Sequence, residues 1–465
     1  MIRKLLAFGV ADSIGRGLNW LLLIVLPIFL DPISYGHIAL LIATEVLGSS
    51  VVLYGQDRAI LRFASESESD KRALAAQITL GWIVLALITT AVAISVYILT
   101  RSIAELPIHE PIDIVSLWVV ICSAAFLRLY WTALATQGDS ARFFFVRVGY
   151  QAARVVPIVL IAAQSNGELI GWYLRTSAIV CVGFCFEAIF SIIRGWGDLP
   201  SLSLCAKYWR FGAPFVVHTA SQSILSYGDR YLVLYFLGAE AVGAYSFAYS
   251  IGSAITFLYS GITVYFEPLL YSVANDTTRR EKLLGGFTLA AICGSSTMAA
   301  MLNYAAYEYQ LHLAKQYANS SLALVPIILV AHIFNILYLQ SNYRLVCFQR
   351  TSPIASSSSI FAGANLLLNW VLIPPLQLAG AAYVTVTSYL GQSIYLFAAS
   401  LRAGGMTLHR VRGKGTLLMC GVLLAGIVIL RGSGVLLTTV LFAVVASIAA
   451  IGFVRQFGIA ALGNR

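Results

Sequence analysis

Charge is the first thing this chain lacks. Of 465 residues only 11% are charged and 59% are hydrophobic, whereas a soluble chain carries about 25% charged residues. An ordinary soluble domain is excluded, and with it any reading of the net charge of +10 as a nucleic-acid surface. Long polar stretches are lacking as well, so most of the chain lies in a bilayer. That counts against a membrane polymerase or glycosyltransferase, which needs a large loop or domain outside the membrane. No Gly-rich loop ends in Lys-Ser/Thr, so there is no sign of an ATPase. No His/Glu spacing suits a metal, and no nucleophile stands beside a base. The sequence therefore predicts neither an enzyme nor a cofactor. The seven cysteines show no CxxC pair; Cys181 and Cys185, one helical turn apart, read as small packing residues.

What is present is a series of apolar runs. They fall at about 5–30, 36–58, 77–100, 114–136, 143–163, 169–193, 209–236, 241–266, 283–304, 321–343, 354–374, 378–401, 415–431 and 434–454, each near the roughly 20 residues that cross a bilayer as a helix. The first run is broken by Asp12 and Arg16 and has no small-residue cleavage site, which predicts a retained helix rather than a signal peptide. Basic residues sort by side. Twenty-two, from Arg3 and Lys4 through Arg58, Arg147, Arg210 and Arg344 to Arg465, fall on one side of the alternating spans, against Arg101, Lys315 and Arg431 on the other. Positive residues stay inside, so both termini are expected in the cytoplasm.

The remaining five arginines fall within spans, and so do several acids. Asp12 and Arg16, at i and i+4, can pair along one face; they are either a self-neutralising pair or part of a central cavity. Glu45, alone among Leu, Ala and Val, needs a cation or a proton, with Arg16 or Arg230 as the candidate cation. Arg154 lies too deep to snorkel, while Arg128 can do so and can pair with Glu187. Arg175 is expected at the outer interface. Asp229 and Arg230 are neighbours whose side chains diverge on a helix, so each should find its partner elsewhere. His218 and His332 read as satisfied core histidines, and Asn365 and Asn369 as an interhelical hydrogen-bonding face.

Phe8-Gly9 and Tyr35-Gly36 open the first two spans, and Phe211-Gly212 and Val242-Gly243 open the seventh and eighth. This faint repeat has an even period of six spans. It predicts two parallel halves, with a substrate site between them near the midplane.

From Lys207 to Pro268 the order of signals is distinctive: Phe211, Gly212 and Pro214, then Asp229 and Arg230, Phe236-Leu237-Gly238, Val242-Gly243, Tyr245-Ser246 and Glu267-Pro268. This order resembles the seventh and eighth helices of Wzx-type polysaccharide flippases of the MOP exporter superfamily, which also holds MATE antiporters and lipid II flippases. Leu26-Pro27, Tyr35-Gly36, Gly48 and Arg62-Phe63 are similar to the family's first hairpin. Asn365, Asn369, Pro374, Gly380, Ala381, Ala382 and Thr385 are similar to its eleventh and twelfth helices. The resemblance covers about the first 400 residues.

It implies an all-α polytopic membrane protein of about 14 transmembrane helices, a V-shaped MOP/MATE-like bundle. The expected lobes are 1–200 and 201–403, each of six helices, with an extra helix pair in 404–465. The implied function is flipping of an undecaprenyl-diphosphate-linked oligosaccharide to the outer leaflet of a bacterial inner membrane by alternating access. The alternatives are a lipid II flippase and a MATE-type cation antiporter; an interior with several arginines suits the latter less. Expected partners are the lipid-linked sugar, membrane lipids, and a polysaccharide polymerase with its chain-length regulator. Arg16, Arg154 and Arg230 suit a diphosphate, because guanidinium forks bind phosphate oxygens in pairs. Asp12, Glu45 and Asp229 are the expected ion-coupling acids.

Overall fold

A computed structural model describes residues 2–66, 78–87, 89–90, 110–164, 169–193, 202–317 and 319–404. All regular structure among them is helical: α1 (Ile2–Phe29), α2 (Pro32–Val52), α3 (Gln56–Glu66), α4 (Ile78–Leu87), α5 (Pro111–Gln137), α6 (Ser140–Gln164), α7 (Leu169–Ile193), α8 (Leu202–Tyr227), α9 (Asp229–Ser253), α10 (Ile255–Ser272), α11 (Thr277–His312), α12 (Asn319–Leu322), α13 (Val325–Cys347) and α14 (Ser352–Ala403). Among the described residues nine helical runs are long and apolar enough to span a membrane. The protein is thus an all-α polytopic membrane protein. The thirteenth and fourteenth predicted spans lie outside the described residues, as does nearly all of the predicted pair in 404–465.

Local sequence sets the ends of these helices. Asp31 caps α2, its carboxylate accepting from the backbone N–H groups of Ile33 (3.1 Å) and Ser34 (3.2 Å), and Pro32 supplies the first helical residue. Those two donors have no partner within the helix, and proline at this position sacrifices none that is needed. Gly138 ends α5 in the left-handed region (φ 77°), as glycine does most cheaply.

Two runs are interrupted where the sequence predicts a span to end. Gly238 (φ 84°) breaks α9 and Gln377 (φ 52°) breaks α14. The arms of α14 fold back on each other: Asn365 Nδ2 donates to Ser388 Oγ (3.1 Å), Gln392 Nε2 reaches Ser358 Oγ (3.5 Å), and Gly391 faces the Phe361 ring. These pairs close nearly symmetrically about residue 376. The predicted spans 354–374 and 378–401 are therefore an antiparallel hairpin.

Two other spans depart from expectation. The run predicted over 36–58 ends at Val52, and the chain turns through Tyr54 (φ 51°) and Gly55 (φ 65°) into α3. The run predicted over 241–266 changes helix at Ala254, between α9 and α10, with no proline or glycine at that position to announce it.

The chain forms two compact units, Met1–Tyr231 and Leu232–Arg465. In the first, α1 packs on α6, α5 on α7, and α2 lies among α5, α7 and α8. The α2–α8 contact is a seam of small and polar residues. Gly55 and Gly212 meet backbone to backbone; a Cβ on Gly212 would overlap Tyr54 O and come within 2.5 Å of Gln56 Nε2. Further along, Ser50 Oγ and Ser223 Oγ are 2.9 Å apart, and Thr44 Oγ1 and Tyr231 Oη are 2.7 Å apart. In the second unit α13 packs on α14 and α11, and α11 on α10. Arg344 is fully buried there, with its guanidinium on both oxygens of Glu281 (3.1 and 2.7 Å) and on Ser400 (3.2 Å).

Candidate functional site

The site-bearing helices of the first unit are α1, α2, α6 and α7. On α6, Arg147, Tyr150 and Arg154 recur at i, i+3 and i+7, which places them on one face of a helix in an otherwise apolar span. That spacing is a sequence signal for a polar surface, and one that the sequence reading did not use. Arg147 itself, counted above with the cytoplasmic loop charges, lies inside α6 and is largely buried.

Arg154 is 3% exposed. Its guanidinium makes a two-point pair with Glu45: Nη1 donates to Oε1 at 2.7 Å, and Nη2 donates to Oε2. Nη2 also donates to Tyr173 Oη (2.7 Å), Nε to Ser177 Oγ (3.1 Å) and Nη1 to Tyr150 Oη (3.4 Å). An arginine has five N–H donors, and all five are in use. The cation for Glu45 is thus Arg154, and not Arg16 or Arg230 as the sequence reading had it. The partners are 109 residues apart and no local pattern links them.

Around Asp12 the pairing is different. Its Oδ2 accepts from Arg16 Nε (2.7 Å), the predicted i, i+4 contact. Its Oδ1 accepts from Arg147 Nε (3.1 Å) and Nη2 (3.0 Å). The Arg147 guanidinium lies over the Trp131 ring, 4.2 Å from its centroid. One carboxylate thus faces two guanidinium groups, and among the described residues the cluster keeps one positive charge. The Arg16 side chain is 57% exposed.

Asp229 is fully buried and Arg230 nearly so. Against the expectation that they diverge, Arg230 Nη1 lies 3.3 Å from Asp229 Oδ1 and also donates to Ser226 O (2.8 Å). The reason is a break at Gly228, which separates α8 from α9; Asp229 and Arg230 begin a helix instead of following one another within it.

Other pairings also differ from the sequence reading. Arg128 meets Asp57 (3.4 Å), while Glu187 takes Arg142 (3.6 Å) and Tyr130 Oη (3.0 Å). Arg175, for which the sequence named no partner, pairs with Asp113 (2.9 Å) and Glu110. His332 is buried between the rings of Tyr249 and Tyr389, and neither ring nitrogen finds a hydrogen-bond partner among the described residues. It is not the satisfied core histidine expected. Asn365 and Asn369 do form the expected polar face: Asn369 Nδ2 donates to Asn365 Oδ1 (3.0 Å), beside the bond from Asn365 to Ser388. No group of three or more metal-ligating side chains occurs among the described residues.

Solved structures place this fold. A structure of the lipid II flippase MurJ in an inward closed conformation superposes with a TM-score of 0.70 at 14% identity, over 97% of this chain and 99% of that one. A MOP superfamily transporter from Pyrococcus furiosus gives 0.54 at 15% identity, over 86% and 96%. An inward-facing multidrug resistance MATE transporter gives 0.56 at 15% identity, over 86% and 94%. The chain shares the fold of these three transporter structures. No curated protein matches the sequence. A family model described as "Polysaccharide biosynthesis protein" matches residues 1–268, more than half of the chain, and the chain belongs to that polysaccharide biosynthesis protein family.

Proposed function

We propose that the protein is a flippase for an undecaprenyl-diphosphate-linked oligosaccharide, moving it from the cytoplasmic to the outer leaflet of a bacterial inner membrane. The observation that carries this reading is Arg16, a half-exposed guanidinium inside a membrane span, in a cluster with a charge to spare. A charge at that depth is costly unless it meets water or a counter-charge, and a diphosphate supplies the latter. The family match points to polysaccharide synthesis. Arg16, Arg154 and Arg230 remain the proposed ligands, at different readiness. Arg16 has donors to give, whereas a phosphate reaching Arg154 has to displace Glu45 or a hydroxyl. Asp12, Glu45 and Asp229 are the proposed coupling acids. Alternating access would rock sequence halves 1–200 and 201–403, the two six-helix repeats of a 14-span chain, about the midplane.

A second reading, lipid II as cargo, is favoured by the likeness to MurJ over nearly the whole of both chains. Lipid II carries the same prenyl diphosphate, so charge does not separate the two. Complementation does. The proposed cargo predicts restored surface glycan in a strain lacking its polysaccharide flippase and no rescue of a strain depleted of its lipid II flippase; the reverse result transfers the chain to peptidoglycan synthesis. Orientation is tested separately. A reporter fused after Ala239 is expected outside the cytoplasm and one after Asn275 inside, and either opposite result removes the parallel repeat.

A further inference from the structure

We propose that Arg147, a residue outside the ligand set above, forms with Arg16 a two-armed anion site bridged by Asp12, and that the site takes a phosphate group. This rests on the flippase reading for the identity of the cargo, but the site stands on its own geometry.

Three observations carry it. The first is the count of charge: two guanidinium groups share one carboxylate, and no other acid makes an ion pair with either among the described residues. The second is unused donors. Among the described residues Arg147 meets Asp12 through Nε and Nη2, with Nη1 making no hydrogen bond, and Arg16 meets it through Nε. Both arginines keep N–H groups suited to phosphate oxygens. Arg16 lies within Phe8–Phe29, a helical stretch long and apolar enough to cross a membrane. The third is preorganisation. Gly15 lies against Arg147: a Cβ there would come within 3.1 Å of Nε and 3.2 Å of Cγ. The bare backbone of α1 lets Arg147 lie along it, flat against Trp131 on its other side. The Trp131 indole N–H is also buried without an acceptor among the described residues, so the neighbourhood has a further donor to offer an anion.

The competing explanation is that Arg147 only neutralises Asp12. The two diverge when Asp12 is neutralised instead. An anion site gains net positive charge in Asp12→Asn and binds phosphate more tightly; a simple ion pair predicts loose arginines and weaker binding.

The test uses the full chain, purified into phosphatidylcholine nanodiscs, with affinity read by native mass spectrometry for undecaprenyl diphosphate, for uncharged undecaprenol and for phosphatidylglycerol. Wild type is expected to bind the diphosphate well above undecaprenol. Arg147→Gln should lose about tenfold to a hundredfold, the range for a hydrogen bond to a charged group. Arg147→Lys, which keeps charge but not the planar fork, should fall between. Asp12→Asn should bind more tightly. If Arg147→Gln fails to fold, Arg147→Lys and Asp12→Asn decide the matter. Unchanged affinity in the Arg147 variants, or weaker binding in Asp12→Asn, overturns the site. If the same variants shift affinity for phosphatidylglycerol while undecaprenyl diphosphate does not bind, the anion site stands and the cargo reading falls.

Discussion

Replacing Glu45 with alanine should remove most of the folded protein. The substitution leaves Arg154 charged, buried and facing only hydroxyls: Tyr150, Tyr173 and Ser177. Breaking a buried ion pair from one side costs about 3–5 kcal/mol, a large part of the ~5–15 kcal/mol that holds a domain folded. Arg154→Ala should be comparably damaging, because it strands the carboxylate. The double variant Glu45→Leu, Arg154→Met should recover much of the loss, since replacing both charges with apolar groups of similar volume is often neutral. The measurement is monodisperse yield and melting temperature in detergent for the three variants. Additive losses in the double variant would show that the pair is not what holds α2 to α6. The double variant also tests Glu45 as a coupling acid: glycan export at the wild-type level, with unchanged dependence on proton and sodium gradients, excludes it.

A disulfide between Ser50→Cys and Ser223→Cys should switch transport off reversibly. The two hydroxyls are 2.9 Å apart across the α2–α8 seam, so the side chains already point at each other, as two cysteines must to form a disulfide. The seam joins a helix of sequence half 1–200 to the helix that opens half 201–403. Under the proposed alternating access these sequence halves would part, although α2 and α8 belong to one compact unit here; the seam has glycines, hydroxyls and a glutamine and no salt bridge between α2 and α8 among the described residues. In a background with the native cysteines replaced, oxidation should abolish glycan export and a thiol reductant should restore it. The single variant Ser223→Cys should react with a membrane-impermeant maleimide from the cytoplasmic side although this residue is buried here. Full export by the oxidised pair would make the seam a fixed joint.

Legibility in the sequence followed the range of the interaction. Breaks at Gly238 and near Gln377 were visible because short turns between apolar runs leave local marks. Asp12 and Arg16 were visible as partners because a helix brings i and i+4 together. The change of helix at Ala254 left no mark; in that region Gly252 lies so close to Ile328 that a Cβ would come within 2.6 Å of it, a constraint set by tertiary packing. Glu45 with Arg154, and Asp12 with Arg147, are pairs across 109 and 135 residues, and only the packing of α2 and α1 on their neighbours selects them. Gly212 was noticed as part of an aromatic-Gly-x-Pro signal; its role, close approach to Gly55, needed both strands of backbone in view.

The hairpin in α14 bears on the order of assembly. Its cross-arm hydrogen bonds join residues only 23 and 34 positions apart, while Glu45 must wait for Arg154. Contacts between near neighbours in sequence close sooner, because less chain entropy is lost in bringing them together. In a bilayer, helices insert first and associate afterwards. The two arms, meeting through Asn365, Ser388, Ser358 and Gln392, can therefore dock as they leave the insertion machinery. Their buried amides and hydroxyls would then never face lipid alone, and the hairpin would enter the rest of its unit as one preassembled piece.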